Sequence, residues 1–374
     1  MTTATLNRAA GTLDITWPDA TVAAFPYLWL RDNCPTGLHP DTRERTFDLL
    51  SVAEDIAPIS ASATDGSVTV EWGDHISRFS AQWLKAHRPG KRQPDPADVA
   101  RVAWRGDAAE DVIPRYDAAS LLRDDAALAA FLHAAKVSGL AIVTELRDEL
   151  DAGMDIARRI GFLRETNFGV TFDVESKPDP NNLAYTSHAL PLHTDLPNQE
   201  MPPGFQFLHC LANDAEGGGS VFCDGLAVAE DIRRDDPDAF ELLATELIPL
   251  RFHDATTDIR THDTVIRLGH DGRVAEVRFN GHIAGVFDLA TDKLAPYYSA
   301  YRKFMALSRS DAYRTTLRLG GGEMVVFDNR RVLHGRDAFD PSTGYRRLRG
   351  CYVDRGEWDS RMRVLARNAA APKE

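Results

Sequence analysis

The chain has 374 residues, 43% of them hydrophobic and 26% charged, with a formal net charge of −13. That excess of acid argues against a nucleic-acid partner, whose phosphates need clustered Lys and Arg, and it tolerates a cationic small molecule. No run of 18 uncharged apolar residues is present to span a membrane, and the N-terminus lacks the apolar core of a signal peptide.

Residues 1–90 are expected to form a small β-rich module. Thr12–Trp17, Thr21–Phe25 and Ser67–Trp72 alternate apolar and polar residues between Asp and Gly turns. Residues 91–116 open on a turn-rich run, Gln93-Pro94-Asp95-Pro96, and read as a linker to a second domain at 117–374. Asp117 caps a helix that carries Leu121, Leu122, Leu128, Phe131 and Leu132 at helical spacing and stops at Gly139. Leu140–Thr144 reads as a buried strand and 152–160 as a helix closed by Gly161. Asp236-Pro237 opens a helix toward Leu247, and another covers 292–307 with Leu294, Tyr298, Tyr301 and Met305 on one stripe. Strands are expected at 205–210, 220–223, 274–279, 323–327 and 346–353. A strand-rich C-terminal half flanked by helices predicts an α+β protein whose second domain is a double-stranded β-helix, or jelly roll, enclosing a pocket.

The candidate chemistry lies in that half. His193 and Asp195 stand two positions apart, so in extended chain both side chains leave one face. With His334, near the end of the strand after 324–328, they would make the two-His, one-carboxylate facial triad of non-haem Fe(II) oxygenases. On its own, His334 also fits a core histidine bonded to a carbonyl. Arg346 follows twelve residues later, on a strand that would turn Arg346, Leu348, Gly350 and Tyr352 to one face. An arginine aimed into a barrel demands an anion, and a bidentate carboxylate satisfies it. The alternative register turns Arg347 or Arg349 inward. Four scattered cysteines, Cys34, Cys210, Cys223 and Cys351, have no framework spacing, which suits a reducing cytoplasm.

His193-x-Asp195, His334 and Arg346 resemble the Fe(II)/2-oxoglutarate oxygenases of the taurine dioxygenase-like superfamily. The nearer resemblance, over almost the whole chain, is to its γ-butyrobetaine and trimethyllysine hydroxylase branch. It is carried by Tyr27–Cys34, Asn181–Tyr185, Leu208-His-Cys210, Gly217–Ser220, Phe327–Arg330 and Leu333–Arg336. The resemblance implies that His193, Asp195 and His334 bind Fe(II), and that Arg346, assisted by Ser220 and Leu208, binds the 2-oxoglutarate co-substrate. It further implies that O2 is consumed while a small trimethylammonium acid is hydroxylated. An aromatic cage for the quaternary ammonium would fall on Phe168, Phe172, Tyr185 and Tyr352, with Asn182, Asn280 and His282 toward the substrate's acidic end. γ-Butyrobetaine is the leading substrate, a trimethylaminoethylphosphonate the rival, and a non-catalytic barrel for quaternary ammonium compounds the reading from another class. A homodimer is usual in the branch. So is a structural zinc held by three Cys and one His in the N-terminal module. Only Cys34, His75 and at most His39 stand at such positions here, so the zinc is expected to be lost.

Overall fold

The computed structural model describes residues 1–106, 112–176 and 186–370. The chain forms two compact units, Met1–Asp95 and Pro96–Glu374.

The first unit holds two three-stranded antiparallel sheets. One is Thr3–Asn7, Thr12–Thr16 and Val22–Pro26, and the other Ser60–Ala63, Ser67–Glu71 and Ile76–Ser80. Strand alternation sends Leu13, Ile15, Val68, Val70 and Phe79 into one core with Trp17, Phe25 and Trp72. Cys34 belongs to this core, its Sγ 3.2 Å from His75 Nε2 and 3.2 Å from Thr36 Oγ1. His39 Nδ1 accepts from the backbone N–H groups of Asp41 and Thr42. Cys34 and His75 thus stand together where a structural zinc would need four donors, and His39 Nδ1 is engaged by its own turn.

The second unit is a jelly roll. Its six-stranded sheet runs Arg115–Asp117, Leu140–Thr144, Met324–Asp328, Phe205–Asn213, Arg346–Val353, Thr171–Val174 in spatial order. The four-stranded sheet runs Leu190–His193, Val332–Arg336, Ser220–Asp224, Arg314–Leu317. The period of two sorts every strand into an inside and an outside. Met324, Val326, Phe205 and Phe207 join Ala141, Val143 and Cys351 under the outer helices. Their neighbours Val325, Phe327, Leu208, Cys210 and Leu348 meet Phe222 and Val332 of the other sheet between the two sheets. Leu192, Val221, Cys223 and Leu333 turn outward onto helices Gly225–Asp235 and Thr291–Arg309. Helix Arg355–Ala370 closes the six-stranded sheet with Trp358, which stacks on Phe205 at 3.7 Å between ring centroids and donates its indole N–H to the Leu132 carbonyl.

Several elements differ from the sequence reading. The helix expected from Asp117 to Gly139 is two, Ala118–Arg123 and Asp125–Ser138, because the Asp124 carboxylate accepts from Ala126 N–H and caps a new start. Helix Thr291–Arg309 buries Tyr297, Ala300, Tyr301 and Phe304, a face rotated from the expected stripe, and leaves Tyr298 49% exposed. Strand Ile248–His253 pairs with Asp258–Asp263 in a hairpin that the sequence reading did not contain. Residues 96–106 pack within the second unit, where Trp104 is buried and donates its indole N–H to Ser138. Among the described residues no helix is long and apolar enough to cross a membrane.

Candidate active site

Strand register brings the two histidines together. His193 on Leu190–His193 lies directly opposite His334 on Val332–Arg336, and residues opposite one another on an antiparallel pair share a face. Their rings are 4.4 Å apart between centroids. His334 is mid-strand rather than at a strand end, and on its other side it pairs with Phe222 of Ser220–Asp224. Extended chain stops at His193. Asp195 stands in a bend just beyond, followed by Leu196 with φ of +52°, left-handed backbone that is costly for leucine and tolerated where surroundings fix it.

Those surroundings are Asn329, which is fully buried. Its Oδ1 accepts from Asp195 N–H at 2.7 Å, and its Nδ2 donates to the carbonyls of Asp195 at 3.0 Å and Pro203 at 3.2 Å. The bend aims Asp195 Oδ1 at His193 Nε2, 3.2 Å away, and at His334 Nε2, 3.6 Å away. One ligand atom from each residue lies within 4.8 Å of the others, a spacing that fits one metal ion. His193 Nδ1 lies 2.9 Å from the Pro191 carbonyl. A carbonyl only accepts, so Nδ1 carries the proton and Nε2 presents its lone pair. Tyr352 donates its hydroxyl to the second carboxylate oxygen, Asp195 Oδ2, at 2.7 Å.

Electrostatics prepare the same group for a cation. Burial pushes Asp195 upward, but His334, His193 and the Tyr352 hydroxyl outweigh it and hold the carboxyl well below the usual carboxylate range. Burial, against the pull of the Asp195 carboxylate, drives His334 down to about 3. One carboxylate and two imidazoles are a donor set that a divalent first-row metal binds.

The triad opens on a cavity of ≈ 370 Å³. At one end stand Arg346, Ser220 and Arg336. Arg346 is 5% exposed, and its Nε donates to the Gly218 carbonyl at 3.2 Å. No protein carboxylate pairs with it among the described residues. Gly218, at φ of +67°, leaves room for it, since a Cβ there would stand 3.0 Å from the Arg346 side chain. Arg336, opposite Ser220 in register, donates to the carbonyls of Thr186 at 2.6 Å and His188 at 2.9 Å. Burial and the neighbouring Arg346 push Arg336 down to about 10. Two buried guanidinium groups make this end attractive to an anion. Arg347 and Arg349 point the other way and pair with Asp173.

Aromatic rings line the rest. Phe172 and Tyr352 are 5.1 Å apart and Phe168 and Phe252 5.4 Å apart between centroids. Phe172 lies across Gly350, where an added Cβ would meet its ring at 2.5 Å. His282 and Asn280 also line the cavity. The Asn280 amide is engaged with the Thr194 carbonyl and the His282 N–H. Burial, ahead of His193, lowers the pKa of His282. His193, Asp195, His334, Arg346, Ser220, Leu208, Phe168, Phe172, Tyr352, Asn280 and His282 are therefore all brought to one cavity. Asn182 and Tyr185 lie outside the described residues. Sequence reasoning missed Arg336, Gln206, Asn198, Asn329 and Phe252. The alternation of Val332–Arg336 carried a signal for Arg336, which shares the face of His334.

The family model described as Taurine catabolism dioxygenase TauD, TfdA family matches residues 106–352. The model described as Gamma-butyrobetaine hydroxylase-like, N-terminal matches residues 4–85. The chain is 42% identical over 362 residues to the gamma-butyrobetaine dioxygenase of Pseudomonas sp. (strain AK-1), covering 96% of this chain and 94% of that protein. It is 31% identical over 370 residues to the gamma-butyrobetaine dioxygenase of Homo sapiens, covering 94% of each. The crystal structure of AAD-2 in complex with Mn(II) and N-oxalylglycine shares the fold at a TM-score of 0.50 and 13% identity, over 69% of this chain and 98% of that one.

Proposed function

The chain belongs to the TauD, TfdA family of dioxygenases, and from that premise we propose that it hydroxylates a small trimethylammonium acid, with γ-butyrobetaine as the leading substrate. The observation that carries the reading is the convergence of His193, Asp195 and His334 beside a buried arginine that has no carboxylate partner among the described residues. When bound there, Fe(II) with 2-oxoglutarate and O2 supplies the oxidising power that converts the co-substrate to succinate and CO2 and inserts oxygen into a C–H bond.

The protein's own work is placement. His193, Asp195 and His334 would hold the metal, and the three side chains line the cavity. Tyr352 and Asn329 fix the carboxylate and the bend that carries it. Arg346, with Ser220 beside it, would pair with the far carboxylate of 2-oxoglutarate, and Leu208, opposite Gly350 on the neighbouring strand, lines the same cavity. Phe168, Phe172, Phe252 and Tyr352 present π faces to a quaternary ammonium that donates no hydrogen bond. Holding one C–H bond at the reacting distance is then a matter of fit, where about an ångström of misplacement is costly. Four buried free thiols fit a reducing compartment, and the cytoplasm is the proposed location.

One observation favours a second substrate of the same class. His253 and His282 line the cavity beside Arg251, whose guanidinium pairs with Asp258, and the two imidazoles suit the higher charge of a trimethylammonium phosphonate. Incubation with Fe(II), 2-oxoglutarate and O2 and either compound tests both. Succinate should form together with an equal amount of hydroxylated product from the true substrate. Succinate no faster than without either compound would refute the trimethylammonium reading.

A further inference from the structure

The two aromatic pairs each have a buried amide beside them. Gln206 is 2% exposed and lies opposite Tyr352 in the register of the two central strands, next to the Tyr352–Phe172 pair. Asn198 is fully buried. Its Nδ2 donates at 3.0 Å to the carbonyl of Ile259, the residue paired with Phe252 in the Ile248–Asp263 hairpin. Both residues belong to the cavity wall. Gln206 Oε1 and Asn198 Oδ1 are buried with no hydrogen-bond partner among the described residues.

Unmatched buried acceptors are uncommon and ask for a ligand. Because the Ile259 carbonyl can only accept, it holds the Asn198 NH2 group and leaves Oδ1 as the acceptor. Asp195 is the sole carboxylate among the described lining residues, and its oxygens face the imidazoles and Tyr352. A cationic headgroup in this cavity therefore finds no acid among those residues to pair with. What surrounds it is ring faces and, just beneath the cavity surface, two amide oxygens without a partner among the described residues. The charge of a trimethylammonium is spread over its methyl groups, and a C–H group so polarised is a weak donor to a carbonyl oxygen.

We propose that Gln206 and Asn198 are specificity-determining residues whose amide oxygens, one beside each aromatic pair, select a positively charged headgroup over a neutral one of equal shape. This rests on the trimethylammonium reading above. Aromatic walls alone reward size and fit as well as charge. The amide oxygens reward charge, because their dipoles act in a site with little water to screen them. A cation also selects the oxygen-inward orientation of the Gln206 amide.

The test compares γ-butyrobetaine with its carbon isostere, in which a quaternary carbon replaces the nitrogen. The full chain is used with Fe(II) and 2-oxoglutarate, and succinate is followed. Wild type should show the lower KM for the cation. In Gln206→Met, which keeps the volume, the ratio of the two KM values should fall about tenfold, while saturation by the isostere and by the co-substrate stays where it was. Asn198→Leu should act in the same direction. Should that variant fail to fold because the Ile259 anchor is gone, Gln206→Met and Gln206→Glu carry the test, the latter raising the ratio. An unchanged ratio in a Gln206→Met protein with wild-type circular dichroism would overturn the proposal while leaving the function standing. A wild type that neither turns over γ-butyrobetaine nor prefers it to the isostere would overturn both, and that result appears before any substitution is made.

Discussion

Tyr352 does two separable things, and Tyr352→Phe parts them. The substitution removes one hydroxyl, the donor to Asp195 Oδ2 at 2.7 Å, and keeps the ring that stands 5.1 Å from Phe172. A hydrogen bond to a buried charged group contributes about 1.5–3 kcal/mol. Loss of a group that orients a metal ligand lowers metal affinity roughly 10–100-fold, which is the same range in free energy. Tyr352→Phe should therefore weaken Fe(II) by that factor and leave the KM of the trimethylammonium substrate within about twofold once metal is saturating. Tyr352→Ala should lose both. The assay is succinate formation against added Fe(II), repeated with Mn(II) as competitor to give metal affinity without turnover. An unchanged metal affinity in Tyr352→Phe would show that the hydroxyl does not hold Asp195, and the reasoning would fall.

Arg346→Ala should weaken saturation by 2-oxoglutarate about 10–150-fold, equivalent to one charge-assisted pair, with far less effect on saturation by the trimethylammonium substrate; equal losses in both would remove Arg346 from the co-substrate. Asn329→Ala deletes three hydrogen bonds around the Asp195 bend. It should cost about 2–3 kcal/mol in urea unfolding and weaken Fe(II) as well, so a stable variant with intact metal affinity would contradict its role. Burial lowers the pKa of His209, which is 1% exposed on the strand face away from the cavity. The unfolded chain then takes up that proton first, so stability is whole at neutral pH and is lost as pH falls below about 6.5, by up to ~1.4 kcal/mol per unit. His209→Leu should show a shallower loss between pH 7 and pH 5.5, and a slope equal to wild type would exclude His209 as its source.

Much of this site was legible in the sequence because its determinants are local or periodic. The alternation of 346–353 correctly put Arg346, Leu348 and Tyr352 on one face, and Gly139 and Gly161 ended their helices where expected. What stayed hidden depends on register between distant strands. Nothing in residues 190–193 announces that His193 will face His334, since that pairing follows from which strands neighbour one another. The spacing of His193 and Asp195 suggested extended chain throughout. The bend at Asp195 and the left-handed Leu196 are instead imposed by Asn329, 134 positions away in the chain. Gln206, Asn198 and Phe252 were missed for a similar reason. A lone amide or ring carries no spacing signal, and each acquires meaning only when a hairpin or a neighbouring strand carries it to the cavity wall. The hairpin itself, alternating half-exposed with exposed positions over Asp258–Asp263, lacks the apolar face that marks a strand.

Metal content decides most directly whether the His193–Asp195 pair and the distant His334 form one iron site. Protein reconstituted with Fe(II) under anaerobic conditions should hold one tightly bound iron per chain, and His193→Ala, Asp195→Ala and His334→Ala should each lose it while keeping the wild-type circular dichroism. Iron retained at full occupancy in a folded His334→Ala protein would contradict the account.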